Sequence, residues 1–248
     1  MKHAKRHPLI FGTIILTATG LITRVIGFFY RIYLSRLFGE EGMGIYQLLS
    51  PALSLSFSLT AAGYQTAISK YVAADSAKRP SGNLKPLLAG TSITLPLSLV
   101  TNAILFFSAD PIGIFLLKDH RTVPMLRILS FSVPFAALHA CINGYFYGKK
   151  KASVPALTQL LEQLARVSCV FLVTGADLAE GRTPSINAAV LGLTVGEIFS
   201  MLIALVCLYI HLYPDSSILS LQNICPSVPV YRDLLGMALP LTANRIVL

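Results

Sequence analysis

Residues 9–38 read LIFGTIILTATGLITRVIGFFYRIYLSRLF, an apolar stretch broken by Arg24, Arg31 and, at its end, Arg36. A bilayer's hydrocarbon core takes roughly 20 apolar residues as a helix, so this stretch is long enough to cross. Lys2, Lys5 and Arg6 precede it, as basic residues precede a secretory signal. No small-residue cleavage site follows, and the run continues past Arg24. The reading is therefore a retained first helix.

The same pattern repeats outward from this stretch, at about 42–74, 84–108, 122–147, 153–175 and 186–213. Of 248 residues, 54% are hydrophobic and 12% charged, against about 25% charged in soluble domains. Mean hydropathy is +0.67. These values exclude a disordered tail, a collagen and most soluble enzymes. Runs such as 87–107 do not alternate as barrel strands would. Backbone groups in lipid must be satisfied internally, so helices are the default. The sequence predicts an all-α polytopic membrane protein with a six-helix lobe over residues 1–213. Residues 214–230 hold three prolines and no basic residue, and read as a cytoplasmic linker. A seventh helix begins near Tyr231 and is cut at Leu248, so 231–248 reads as the truncated start of a second lobe and the chain as a fragment.

The connections set the orientation. Lys2, Lys5 and Arg6, then Lys70, Lys78, Arg79 and Lys85, then Lys149, Lys150 and Lys151 fall on one side. Opposite them lie only Lys118, Arg121 and Arg182. The positive-inside rule puts the first side, with the N-terminus, in the cytoplasm. The net charge of +9 thus reflects membrane orientation rather than nucleic-acid binding. Trp is absent, leaving Tyr145, Tyr147, Tyr209 and Tyr213 as the interfacial aromatics. Cys141, Cys169, Cys207 and Cys225 have no metal or redox spacing and read as small apolar residues.

Charges inside spans are costly and mark function. Arg24 and Arg31 are seven residues apart, almost two full turns, so they share a face with Gly20, Gly27 and Ser35. Such a face can bind an anion in a cavity, or its arginines can snorkel to an interface. Helix five carries Gln159, Glu162, Gln163 and Arg166 at i, i+3, i+4 and i+7, a polar stripe that must face a cavity or another helix. Glu162 and Arg166 can pair. In helix six, Gly192 and Gly196 have the spacing of close helix packing, and Glu197 beside them is a candidate cavity carboxylate. His139 reads as packing or weak polar contact, Arg127 as interfacial, and Pro96 and Pro134 as kinks. No phosphate loop, metalloprotease, nucleophile-elbow or dinucleotide motif is present, so the chain reads as neither an enzyme nor a cofactor binder.

Several segments are similar to one known family. They are Leu21–Gly39 with Glu41–Gln47, Ala67-Ile-Ser-Lys70, Gly144-Tyr-Phe-x-Gly148, the helix-five stripe starting at Pro155, and Leu239-Pro-Leu-Thr-Ala-Asn-Arg245. In order along the chain, they resemble the polysaccharide-biosynthesis branch of the multidrug/oligosaccharidyl-lipid/polysaccharide (MOP) exporter superfamily. At the helix-four exit, Asn143 and Tyr147 stand where the family usually has Arg and Gln.

The resemblance implies two six-helix lobes around a V-shaped cavity, of which this chain covers the first. It implies a flippase moving a polyprenyl-pyrophosphate-linked oligosaccharide, or a lipid II-type precursor, across the bacterial cytoplasmic membrane by alternating access. Arg24 then corresponds to a cavity arginine of the related lipid II flippases, and a second one falls near Tyr30, beside Arg31. Substrate-binding positions would be Arg24, Arg31, Gln159, Glu162, Gln163, Arg166 and Glu197. The partners would be the bilayer, the lipid-linked sugar, and a missing C-terminal lobe or a second chain. The alternatives are a multidrug-type drug/cation antiporter of the same fold, or a truncated fragment that transports nothing.

Overall fold

The computed structural model describes residues 8–78, 84–213 and 226–247. The described residues form helices and turns with no strand. Helix α1 is Pro8–Leu48, broken at Gly39. Helix α2 joins Ser50–Phe57, a π turn at Ser58–Ala62, and Gly63–Lys78. Helix α3 is Lys85–Phe107 and is followed by a short turn, Ala109–Pro111, and a second π turn, Ile112–Leu116. Helix α4 comprises Thr122–Ser130 and Ser132–Gly148, α5 is Ser153–Ala179, α6 is Asn187–Leu212 and α7 is Val228–Val247. The α4 interruption at Phe131 lies just ahead of Pro134, whose ring clashes with the preceding turn. Helix α7 starts three residues before Tyr231, with Pro229 in its first turn, where a missing N–H costs nothing.

Among the described residues, five segments are long and apolar enough to cross a membrane. The first, Gly12–Asp75, has 64 residues, about 95 Å if straight. It folds back instead. Gly39 has φ 68° and ψ −175°, a region essentially reserved for glycine. Arg31 and Tyr46, on either side of Gly39, line the same cavity. The segment therefore crosses twice.

The alternation predicted from the sequence is visible in the contacts between ends. A Cβ on Gly12 of α1 would lie 3.3 Å from Ala152, just ahead of α5. Lys151 Nζ meets His211 Nδ1 at 2.9 Å, joining the start of α5 to the end of α6. Lys149, Lys150 and Lys151 lie at this end, while Lys2, Lys5, Arg6, Arg79 and most of the 214–230 linker expected from the sequence lie outside the described residues. At the opposite end, Arg121 bridges Glu41 at 2.7 Å and Asp119 at 3.0 Å. The hydrogen bonds donated by Arg121 hold the Asp119 carboxyl below its ordinary range. Arg127 pairs with Asp110 at this end.

Between apolar helices in lipid no hydrophobic force acts, so close approach of small residues supplies the packing. Gly144 and Gly148 let α4 touch the backbone of α2 at Gln65 and Ser69. Gly192 and Gly196 let α6 meet the carbonyls of Arg166 and Glu162 on α5. The main core joins α2, α3, α4, α6 and α7 around Ile68, Val72, Tyr145, Phe146, Leu234 and Ala238. Helix α7 thus docks on this bundle: a Cβ on Gly63 would sit 2.8 Å from the Ala238 carbonyl. Tyr145 corrects the sequence expectation of an interfacial ring. It is fully buried, because it lies on the face of α4 that packs into this core. Tyr147, Tyr209 and Tyr213 are exposed, as expected. Cys141 is buried and Cys169 and Cys207 are half-buried, all three as free thiols, and Cys225 lies outside the described residues. Large apolar side chains such as Leu21, Phe28, Phe107, Leu172 and Ile210 point outward, the reverse of a soluble protein.

Candidate functional site

Helices α1 and α5 run parallel, since residues 27 and 33 of α1 meet 163 and 174 of α5 in the same order. A Cβ on Gly27 would lie 3.6 Å from Gln163 Nε2. Tyr33 Oη lies 2.7 Å from Thr174 Oγ1, and its ring stacks on Phe171 at 4.1 Å. Arg24 and Arg31 flank Gly27, one turn to either side, and both are exposed. Neither pairs with a carboxylate among the described residues. Arg31 opens into a cavity of about 320 Å³ that it shares with Tyr46, Gln47, Ser50, Leu53 and Leu193. Arg24 lies outside that lining.

The helix-five stripe divides. Gln159 is exposed, and Gln163 turns toward α1. Glu162 and Arg166 form an ion pair, with side chains 17% and 21% exposed, and their backbone lies against Gly196 and Gly192 of α6. Glu197 reaches the same place from α6. Its Oε2 is 3.7 Å from His139 Nδ1, and the two side chains are 18% and 10% exposed. Ligand atoms of His139, Glu162 and Glu197 all lie within 4.8 Å of one another. The two arginines of α1 are not in contact with this cluster, but Tyr46 lies within electrostatic reach of both Arg31 and Arg166.

His139 is the residue that sequence reasoning underrated. It is central rather than a lone packing side chain. Asn143 donates to its Nε2 at 2.8 Å, and the Ser200 hydroxyl lies 3.1 Å from its Nδ1. Thr158 of α5 in turn donates to Asn143 Oδ1 at 3.4 Å. The available signal was the i, i+4 spacing of His139 and Asn143, which puts both on one face of α4. Tyr30 Oη and Arg166 Nε are buried with no hydrogen-bond partner among the described residues.

A family model described as "Polysaccharide biosynthesis protein" matches residues 9–248. Stage V sporulation protein B of Bacillus subtilis (strain 168) is 34% identical over 237 residues, covering 95% of this chain and 46% of that protein. The same organism's lipid II flippase MurJ is 27% identical over 179 residues, or 68% of this chain and 32% of that protein. An outward-facing multidrug resistance MATE family transporter of the MOP superfamily superposes with a TM-score of 0.77 at 16% identity, over 99% of this chain and 56% of that one. At that identity the likeness speaks for the fold. The chain spans about half the length of the curated relative it matches over most of its own length. It is a multi-pass membrane protein of the MOP transporter fold and belongs to the polysaccharide biosynthesis protein family.

Proposed function

We propose that this chain is the N-terminal lobe of a flippase that moves a polyprenyl-pyrophosphate-linked oligosaccharide, or a lipid II-type precursor, across the cytoplasmic membrane. One observation carries the reading. Arg24 and Arg31 are exposed on an apolar helix without a carboxylate partner among the described residues. A cation at membrane depth needs an anion, and guanidinium groups grip phosphate oxygens in a fork. The 320 Å³ cavity beside Arg31 and the amides of Gln159 and Gln163 offer partners for sugar hydroxyls. Glu162, Arg166 and Glu197 form the polar wall behind them. The N-terminus lies in the cytoplasm, and a second lobe, from further sequence or another chain, rocks against this one.

The drug/cation antiporter reading draws support from the two half-buried carboxylates, Glu162 and Glu197. It leaves the unpaired arginines without a role. The test is flipping of a fluorescent polyprenyl-pyrophosphate sugar in vesicles from cells expressing the protein from its own gene. Arg24→Glu should abolish flipping. If flipping survives this charge reversal, the pyrophosphate clamp is wrong. If the vesicles extrude apolar cations and flip no lipid, the antiporter reading takes its place.

A further inference from the structure

The cluster between α4, α5 and α6 does not balance its charge. Glu162 and Glu197 bring two carboxylates, Arg166 brings one guanidinium, and His139 is neutral unless protonated. An uncompensated charge at this depth is expensive. One positive charge must join the site, or one carboxylate must be neutralised. The groups facing Glu162 are Glu197 from α6, Arg166 from its own helix and His139 from α4. Tyr30 and Tyr46, both of α1, lie within electrostatic reach of Arg166, as Arg31 does of Tyr46 and Cys169 of Tyr30.

We propose that His139, Glu162 and Glu197 together hold one exchangeable proton. A metal ion is the poorer candidate. Arg166 already occupies Glu162 Oε1 and repels a dication. Hard monovalent and divalent ions prefer oxygen ligands to the imidazole at the centre. The neighbours of His139, by contrast, accept either protonation state. The Asn143 amide can present NH2 or carbonyl oxygen to Nε2, and the Ser200 hydroxyl can donate to or accept from Nδ1. Glu197 Oε2 lies 3.7 Å from Nδ1, with the Ser200 hydroxyl nearer at 3.1 Å, so a proton on Nδ1 has a carboxylate acceptor at hand. Its transfer turns an imidazolium and a carboxylate into a neutral ring and a neutral acid, with no other bond changed.

A second observation comes from outside the carboxylates. The Tyr30 hydroxyl is buried and unpartnered among the described residues and lies within electrostatic reach of Arg166, whose Nε–H is also buried without a partner there. Such groups mark a place where water or another small oxygen ligand is held. That place is within electrostatic reach of Tyr46, which lines the Arg31 cavity. It gives the proton a polar route to the face on which the substrate is proposed to bind. The inference rests on the flippase reading only for the use made of the proton, not for its binding.

The test is proton uptake by the whole chain in lipid nanodiscs on passing from neutral to mildly acidic pH. Glu197→Gln and His139→Gln should each lower uptake by about one proton per chain, and the double variant by no more than either alone. Separate losses that add in the double variant, or no loss in either, overturn the proposal. The infrared difference spectrum of the unmutated chain guards against misfolded variants. Acidification should produce imidazole and buried-carboxyl bands together, and a spectrum with only solvent-exposed carboxyl bands overturns the proposal. Lipid flipping is read in a separate assay, so failure of the flippase reading leaves this result standing.

Discussion

In the seam of α4, α5 and α6, Arg166 closes on Glu162, while the side chains of Glu197 and His139 are less than a fifth exposed. On α1, Arg24 and Arg31 stand exposed with no carboxylate beside them among the described residues. Both sets lie on helices long and apolar enough to span a membrane. The first set answers most of its charge internally and is built into the packing, with the glycines of α6 against the backbone of its residues. The second set answers none of it. Charges that hold a lobe together are thus separable from charges kept for something outside the lobe, a distinction that composition and hydropathy do not make.

The sharpest way to break this contrast is Arg166→Gln. It leaves Glu162 half-buried without its cation and should cost about 3–5 kcal/mol, the usual result of removing one partner of a buried pair. Unfolding in mixed micelles measures it, and adding Glu162→Gln should recover most of the loss. The next effect is at the turn that brings Tyr46 back to Arg31. Gly39→Ala forces a side chain into a region only glycine visits and should cost about 1–3 kcal/mol in the same measurement. The smallest effect is expected where the charges are unpaired. Arg24→Gln and Arg31→Gln should change stability by no more than about 0.5 kcal/mol, while lipid flipping falls. If either destabilises the lobe as Arg166→Gln does, the α1 cations are structural and the contrast fails.

Most of the architecture was legible in the sequence, because lipid leaves the backbone few choices. The apolar runs locate α3 to α7 to within a few residues; the first run ends at the break in α1, a single strained glycine rather than a loop, and the second spans the rest of α1 together with α2. Of the basic connections, Lys149, Lys150 and Lys151 follow α4 at the end where α5 starts and α6 ends, while Lys2, Lys5, Arg6 and Arg79 lie outside the described residues. The site was less legible. Spacing along one helix placed Gln159, Glu162, Gln163 and Arg166 on a stripe, but not on which side each would fall. In the structure Gln163 turns to α1 and the Glu162–Arg166 pair to α6. His139 was hidden because its meaning is not local. Its partners Glu197 and Ser200 stand about sixty residues away and meet it only after α4 and α6 pack.

The π turn at Ser58–Ala62 in α2 has a consequence for phase. In an α-helix each residue advances by about 100°, and the wide turn absorbs one residue without that advance. The stripe of α2 that faces inward before the turn is therefore not continued by the same spacing after it. Five successive residues, Thr60 through Tyr64, are all buried, because α4 packs on one side of this stretch and α7 on another. Ahead of the turn, Leu53 is indexed to the cluster of Leu126 and Val190. Beyond it, Tyr64, Ala67 and Ile68 are indexed to α4 and α7. Deleting one residue within 58–62 would restore an even helix and keep Ile68 in its socket, whereas closing the wide turn with every residue kept would swing the second half by about 100°. The two halves of α2 are thus geared to different neighbours, and the shift of a single backbone hydrogen bond at residues 58–62 rotates one half against the other.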